Sequence, residues 1–142
     1  MRLQRSTRLA LYSLLEFAAA PGRQIAAAQI AGKYGISAHH LAKVLRDLGR
    51  AGLVESVRGV GGGYRFSGNA KRLTLMDAIE LFEDISGSSQ ANTDPGAATD
   101  VGGALGMVLG EIDEIAKSTF RSISVETMLK LVERRRAARA KT

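Results

Sequence analysis

Between residues 37 and 66 the chain changes from a helical to a hairpin periodicity, and this junction limits the folds open to it more than any other stretch. Leu41, Val44, Leu45 and Leu48 recur at i, i+3, i+4 and i+7, which makes one apolar stripe on a helix running from about Ser37 to Ala51. A step of about 100° per residue gathers His39, Lys43, Arg46 and Arg50 on the opposite face, with His40 and Asp47 on a flank. Gly49 and Gly52 end the pattern. Leu53 to Val57 then reads as a short strand, Arg58-Gly59-Val60-Gly61-Gly62-Gly63 as a tight tip, and Tyr64-Arg65-Phe66 as the returning strand.

Two more helices precede this unit. Leu9, Leu11, Tyr12, Leu14, Leu15, Phe17 and Ala18 form an apolar-rich first helix, preceded by Arg2, Arg5 and Arg8 and closed by Pro21-Gly22. Its basic start is placed to touch backbone phosphate. A second helix covers about Ala26 to Tyr34 and stops at Gly35, a residue suited to a left-handed position past a helix end. Ile36 packs back, and Ser37 caps the third helix.

A short helix, a glycine-bearing turn and a second helix with leucines behind and Ser, His, Lys and Arg in front is the arrangement that lays a helix in the major groove. Such a face is equally that of an ordinary solvated helix, so the helix alone does not decide. The hairpin does. Three successive glycines clear the tip of side chains and let backbone amides and Arg58 approach a phosphate or a minor groove. The expected fold is mainly α with a small β wing: a winged helix-turn-helix domain over residues 1–84, a flexible sensing-type loop over 85–103, and a dimerisation helix plus C-terminal helix over 104–142.

Charge supports this division. The chain carries +6 overall, but residues 1–72 net +9, residues 73–114 net −9 and residues 115–142 net +6. A surface charged only for solubility mixes its signs, so the basic first block suits a polyanion. No apolar run reaches the roughly 18 residues of a membrane span, and the start lacks a signal-peptide core. A cytoplasmic protein without membrane contact is expected. The glycine run is not a nucleotide loop: no Lys-Ser/Thr follows it, and a strand rather than a helix comes next. His39 and His40 project in different directions and lack a companion cysteine or carboxylate cluster, so neither catalysis nor a metal site is expected.

Thr74 caps a fourth helix with Leu75, Ala78, Ile79 and Phe82 on its apolar face and an acidic outer face. Ser86 to Gly103, with glycine, serine, asparagine and proline but no aromatic residue, reads as a flexible loop or linker. Val101, Leu105, Val108, Ile112, Ile115 and Thr119 then alternate by four and three, a seam suited to pairing with another helix. A last helix starts near Ser124, is expected to bury Val125, Met128, Leu129 and Val132, and ends in Arg134-Arg135-Arg136.

Several segments together carry a resemblance: Met1-Arg2-Leu3; Ile30-Ala31 with Tyr34-Gly35-Ile36-Ser37; Leu41-Ala42-Lys43-Val44-Leu45; and Gly52-Leu53-Val54 with Val57 to Tyr64. Leu73 to Ala78 and Ile123 to Glu126 extend the match along the chain. The sequence resembles the winged-helix repressors typified by IscR and NsrR. That resemblance implies a homodimeric repressor on a palindromic double-stranded DNA operator. Ser37, His39, His40, Lys43 and Arg46 would face bases and phosphates, with Arg58, Gly59, Val60 and Gly61 in the minor groove. Ala42 stands where IscR-like proteins carry a glutamate that helps choose between promoter types.

The resemblance further implies an iron–sulfur cluster on three cysteines in the loop before the dimer helix, yet this chain has no cysteine. Ala91 and Ala97, with five residues between them, and then Gly103 or Ala104, stand near the spacing such ligands would have. Either the chain is a cysteine-free member sensing something else, or ligand cysteines were replaced by alanine; as written, no cofactor is expected. A different class of function, an adaptor whose basic helix docks an acidic protein or enzyme, is separated from DNA binding by salt dependence and sequence preference.

Overall fold

A computed structural model describes residues 3–58, 62–83 and 94–141. Helix α1 (Arg5–Ala18) is followed by α2 (Ala27–Tyr34) and α3 (Ala38–Arg50), then by strands β1 (Val54–Ser56) and β2 (Tyr64–Phe66). A five-residue α4 (Leu75–Ile79), a long α5 (Asp100–Ser122) and α6 (Val125–Ala140) complete the chain. This is the expected architecture, mainly helical with one two-stranded antiparallel sheet.

α1 is the hub. Leu9, Ala10, Leu14, Phe17 and Ala18 are buried along it, and it packs against α3, α4, β2 and α6. The leucine stripe of α3 supplies the other half of the core, with Leu41, Leu45 and Leu48 fully inaccessible to solvent. Ile30, Val54, Ala78 and Val125 close the same cluster. Between α2 and α3 the chain turns at Gly35, whose φ of 62° and ψ of 43° are left-handed and cost a side chain-bearing residue about 1–2 kcal/mol. Beyond it the Ile36 N–H donates to the Ala31 carbonyl at 2.9 Å, closing the helix end. The Ser37 hydroxyl accepts the His40 N–H at 3.1 Å and so starts α3 where the cap was expected.

The two later caps meet each other. Thr74 starts α4, exchanging hydrogen bonds with Asp77 in a capping box, and Ser124 starts α6 by accepting the Thr127 N–H. Thr74 and Ser124 pair as an antiparallel bridge. The Leu75 N–H donates to Ile123 at 2.9 Å and the Val125 N–H to Leu73 at 2.8 Å. α6 is thereby stitched by its backbone to the first domain.

Two expectations change. The loop ends earlier than residue 103, because Thr99 caps α5 by accepting the Gly102 N–H at 3.0 Å, and residues 100–103 are helical. Asp100 in the first turn complements the helix dipole and offsets the low helix propensity of Gly102-Gly103. In α6 only Val125 is fully buried. Met128, Leu129 and Val132 are half-covered, since they border open clefts against α1. Among the described residues, no helix is long and apolar enough to cross a membrane.

Candidate nucleic-acid interface

The sequence of α3 sorts its own faces. With Leu41, Val44, Leu45 and Leu48 committed to the core, His39, Lys43, Arg46 and Arg50 are exposed together on the outside. Among the described residues no carboxylate pairs with Lys43, Arg46, Arg50 or Arg58. This cationic face is not neutralised from within. Ser37 is exposed at the start of the helix, with its hydroxyl oxygen engaged as the cap. His40 stands apart from the other predicted residues: it is half-buried. Its Nε2 is shielded from solvent and has no hydrogen-bond partner among the described residues.

Arg58 is exposed where β1 leads into the wing; Gly59, Val60 and Gly61, also assigned to the interface from sequence, lie outside the described residues. The root of the wing is well defined. Glu55 pairs across the sheet with Arg65, and the Val57 N–H donates to the Gly63 carbonyl at 2.8 Å. β2 has a second neighbour that the sequence did not reveal. Ile25 and Tyr64 exchange two backbone hydrogen bonds, 2.9 and 3.0 Å long, and the Gln24 side-chain amide donates to the Gly62 carbonyl. The segment entering α2 thus joins the wing through an isolated antiparallel bridge. Gly63, at φ 137°, makes this approach possible: a Cβ there would lie 2.7 Å from the Ile25 oxygen. The effect is to hold the wing root in one position relative to α2 and α3.

At the basic start of α1, Arg5 is exposed, whereas Arg8 donates to the Tyr12 hydroxyl at 3.2 Å; Arg2 lies outside the described residues. Thr7 is fully buried and donates to Glu83 at 2.8 Å. Glu83 also accepts the Gln4 N–H, so this carboxylate tethers the start of α1.

Far from this face, α5 carries the apolar seam. Val101, Leu105, Val108, Ile112 and Ile115 are all more than half exposed, Val101 by 80%. An exposed apolar row of this length is of the kind that marks an interaction surface. Ala97 is exposed in the turn before α5, Ala104 is exposed within it, and Ala91 lies outside the described residues.

A family model described as "Iron-dependent Transcriptional regulator" matches residues 3–131. The chain is 55% identical over 144 residues to the HTH-type transcriptional regulator BadM of Rhodopseudomonas palustris, covering 98% of this chain and 89% of that protein. In fold it is similar to CymR, the global cysteine regulator of B. subtilis (TM-score 0.73, 24% identity, 92% of this chain and 98% of that one). It is likewise similar to IscR of T. potens (TM-score 0.68, 22% identity, 93% and 88%). The donor set for iron does not follow this kinship: with no cysteine in the chain and no cluster of three His, Asp or Glu among the described residues, the residues present do not fit a thiolate-held cluster. A helix with an apolar stripe and a cationic face, a pinned wing and a family match spanning nearly the whole length lead to one conclusion: the chain is a winged-helix transcriptional regulator, not an enzyme, and belongs to the Rrf2 family.

Proposed function

We propose that the protein is a homodimeric, cytoplasmic repressor that binds a palindromic operator and operates without an iron–sulfur cluster. The observation that carries this reading is the unpaired cationic face of α3 beside the wing root. His39, Lys43 and Arg46 enter the major groove with Ser37 at its rim, Arg58 and the glycine tip follow the minor groove, and His40 helps set the helix from its flank. Lysine and arginine reach guanine O6 and N7 or phosphate. Two α5 seams pair to place the reading heads on half-sites about 10 base pairs apart or a multiple of that.

The test is selection from random duplex DNA followed by gel shift on the enriched sequence. The parent should enrich an inverted repeat, and Lys43→Ala and Arg58→Ala should each weaken binding while the circular dichroism of the dimer stays unchanged. Repression is checked with a reporter placed behind the enriched site. Enrichment of no sequence, with tight binding to an acidic protein instead, would favour the adaptor reading.

A further inference from the structure

We infer that the cleft between α1, the end of α2 and α6 is a binding site for a small apolar ring compound carrying one carboxylate. Its walls are Tyr12, Leu15, Tyr34, Met128, Leu129 and Val132, around a volume of about 310 Å³. An apolar cavity of roughly 150 Å³ accommodates benzene, so this cleft has room for one or two rings. Tyr12 and Tyr34 stack with centroids 5.0 Å apart and planes 3° from parallel, which makes one wall flat and stiff.

The charges at the mouth define the polar end of the ligand. Glu16 is already occupied: it accepts from Lys33 and from the Tyr34 hydroxyl, each at 2.5 Å. Arg136 lines both this cleft and the adjoining one beneath α6, which Glu126 and Glu133 also line; its charge helps keep the Glu16 carboxylate ionised, yet no hydrogen bond or ion pair joins it to another described residue. Its guanidinium fork matches a carboxylate in two-point geometry. An apolar wall, an occupied acid and an available arginine select an anion with an apolar body over a cation or a sugar.

The position of the cleft gives such a ligand a consequence. One wall is α1, which packs on α3, and the other is α6, so an occupant touches both the helix that backs α3 and the C-terminal helix. This regulatory role rests on the DNA-binding reading; the binding itself does not.

The experiment is calorimetric titration of the full chain with phenylacetate and with its neutral counterpart phenylacetamide. Tyrosine emission reports the location, because the chain has no tryptophan and two of its three tyrosines line the cleft. Phenylacetate should bind with a change in tyrosine emission, and the amide at least tenfold more weakly. Arg136→Gln should erase that tenfold preference, whereas Arg135→Gln, which borders neither cleft, should keep it. Val132→Phe should fill the cleft and abolish binding of both compounds. Equal binding of acid and amide, indifference to Arg136→Gln, or no heat at millimolar phenylacetate, as when a second copy covers the cleft, overturns the inference. DNA binding is measured separately, so a failure here leaves that reading standing, and loss of DNA binding leaves this result interpretable.

Discussion

Replacing Gly63 by alanine tests the coupling between the wing and the helical domain, and the cost follows from the geometry. The new Cβ would lie 2.7 Å from the Ile25 carbonyl oxygen, 3.0 Å from its carbon and 3.1 Å from Gln24 Cγ. A φ of 137° is in addition glycine territory, where another residue costs about 1–3 kcal/mol. If β2 retreats to relieve the contact, it gives up the two Ile25–Tyr64 hydrogen bonds, each worth about 1 kcal/mol. By either route the loss is about 2–3 kcal/mol, which for a chain of this size lowers Tm by roughly 4–10 °C. The α1–α3 core is untouched, so helical circular dichroism should persist. Operator affinity should fall about tenfold or more, since a displaced wing forfeits at least about 1.4 kcal/mol of contact. Gly62→Ala is the control: at φ 54° and with open space around it, it should cost only about 1–2 kcal/mol. Thermal melts and gel shifts on the three proteins decide the matter. A Gly63→Ala protein that melts and binds like the parent would refute the close-approach argument; one that loses stability but binds normally would refute the use of the wing on DNA.

Lys43→Ala and Arg46→Ala should each lower the slope of log affinity against log salt by about one if the side chain contacts phosphate, read by fluorescence anisotropy across salt concentrations; an unchanged slope assigns that residue to base edges or to neither. Ile112→Asp places a charge in the α5 seam at a residue that is 55% exposed in the single chain, so sedimentation velocity should show monomers whose helical content is intact. Burial pushes the Glu16 carboxyl up, but its hydrogen bonds from Lys33 and Tyr34 outweigh that and hold it below the ordinary 4.5. Its contribution to stability is therefore present above that value and lost as pH falls through the lowered one; urea melts of Glu16→Gln should lose less stability than the parent between about pH 5 and pH 3. The Tyr34 hydroxyl is pushed well above its ordinary 10.0 by burial and by the Glu16 carboxylate, so its contribution is present below pH 10 and fades only in stronger alkali; Tyr34→Phe should remove that alkaline dependence.

Local signals carried most of the reading head. The α3 stripe is a period of the chain, Ser37, Thr74 and Ser124 are caps of the expected type, and the glycine run bounds a hairpin; each depends on neighbours within a few residues. The Ile25–Tyr64 pairing was hidden because the two residues are far apart in sequence and Ile25 sits in no periodic run. Glu83 and Thr7 were hidden for the same reason. Periodicity also says which way Met128, Leu129 and Val132 face without saying whether anything covers them, and here the α1 surface leaves a cleft. At Thr99 the error ran the other way: Gly102-Gly103 has the composition of a loop, but a cap and an acidic first turn start the helix at Asp100, two residues before it.

The Thr74–Ser124 bridge bears on how such a regulator could be tuned. Because α6 is joined by backbone hydrogen bonds to the start of α4, and α5 leans on α4 as well, the chain resembles a bracket whose arm and reading head meet at a braced corner. In the proposed dimer, the freedom left for matching two half-sites then lies mainly in the crossing of the two arms. On that proposal, operator spacing is reset by changes to the outward residues of α5 alone, with both the corner and the reading head left as they are.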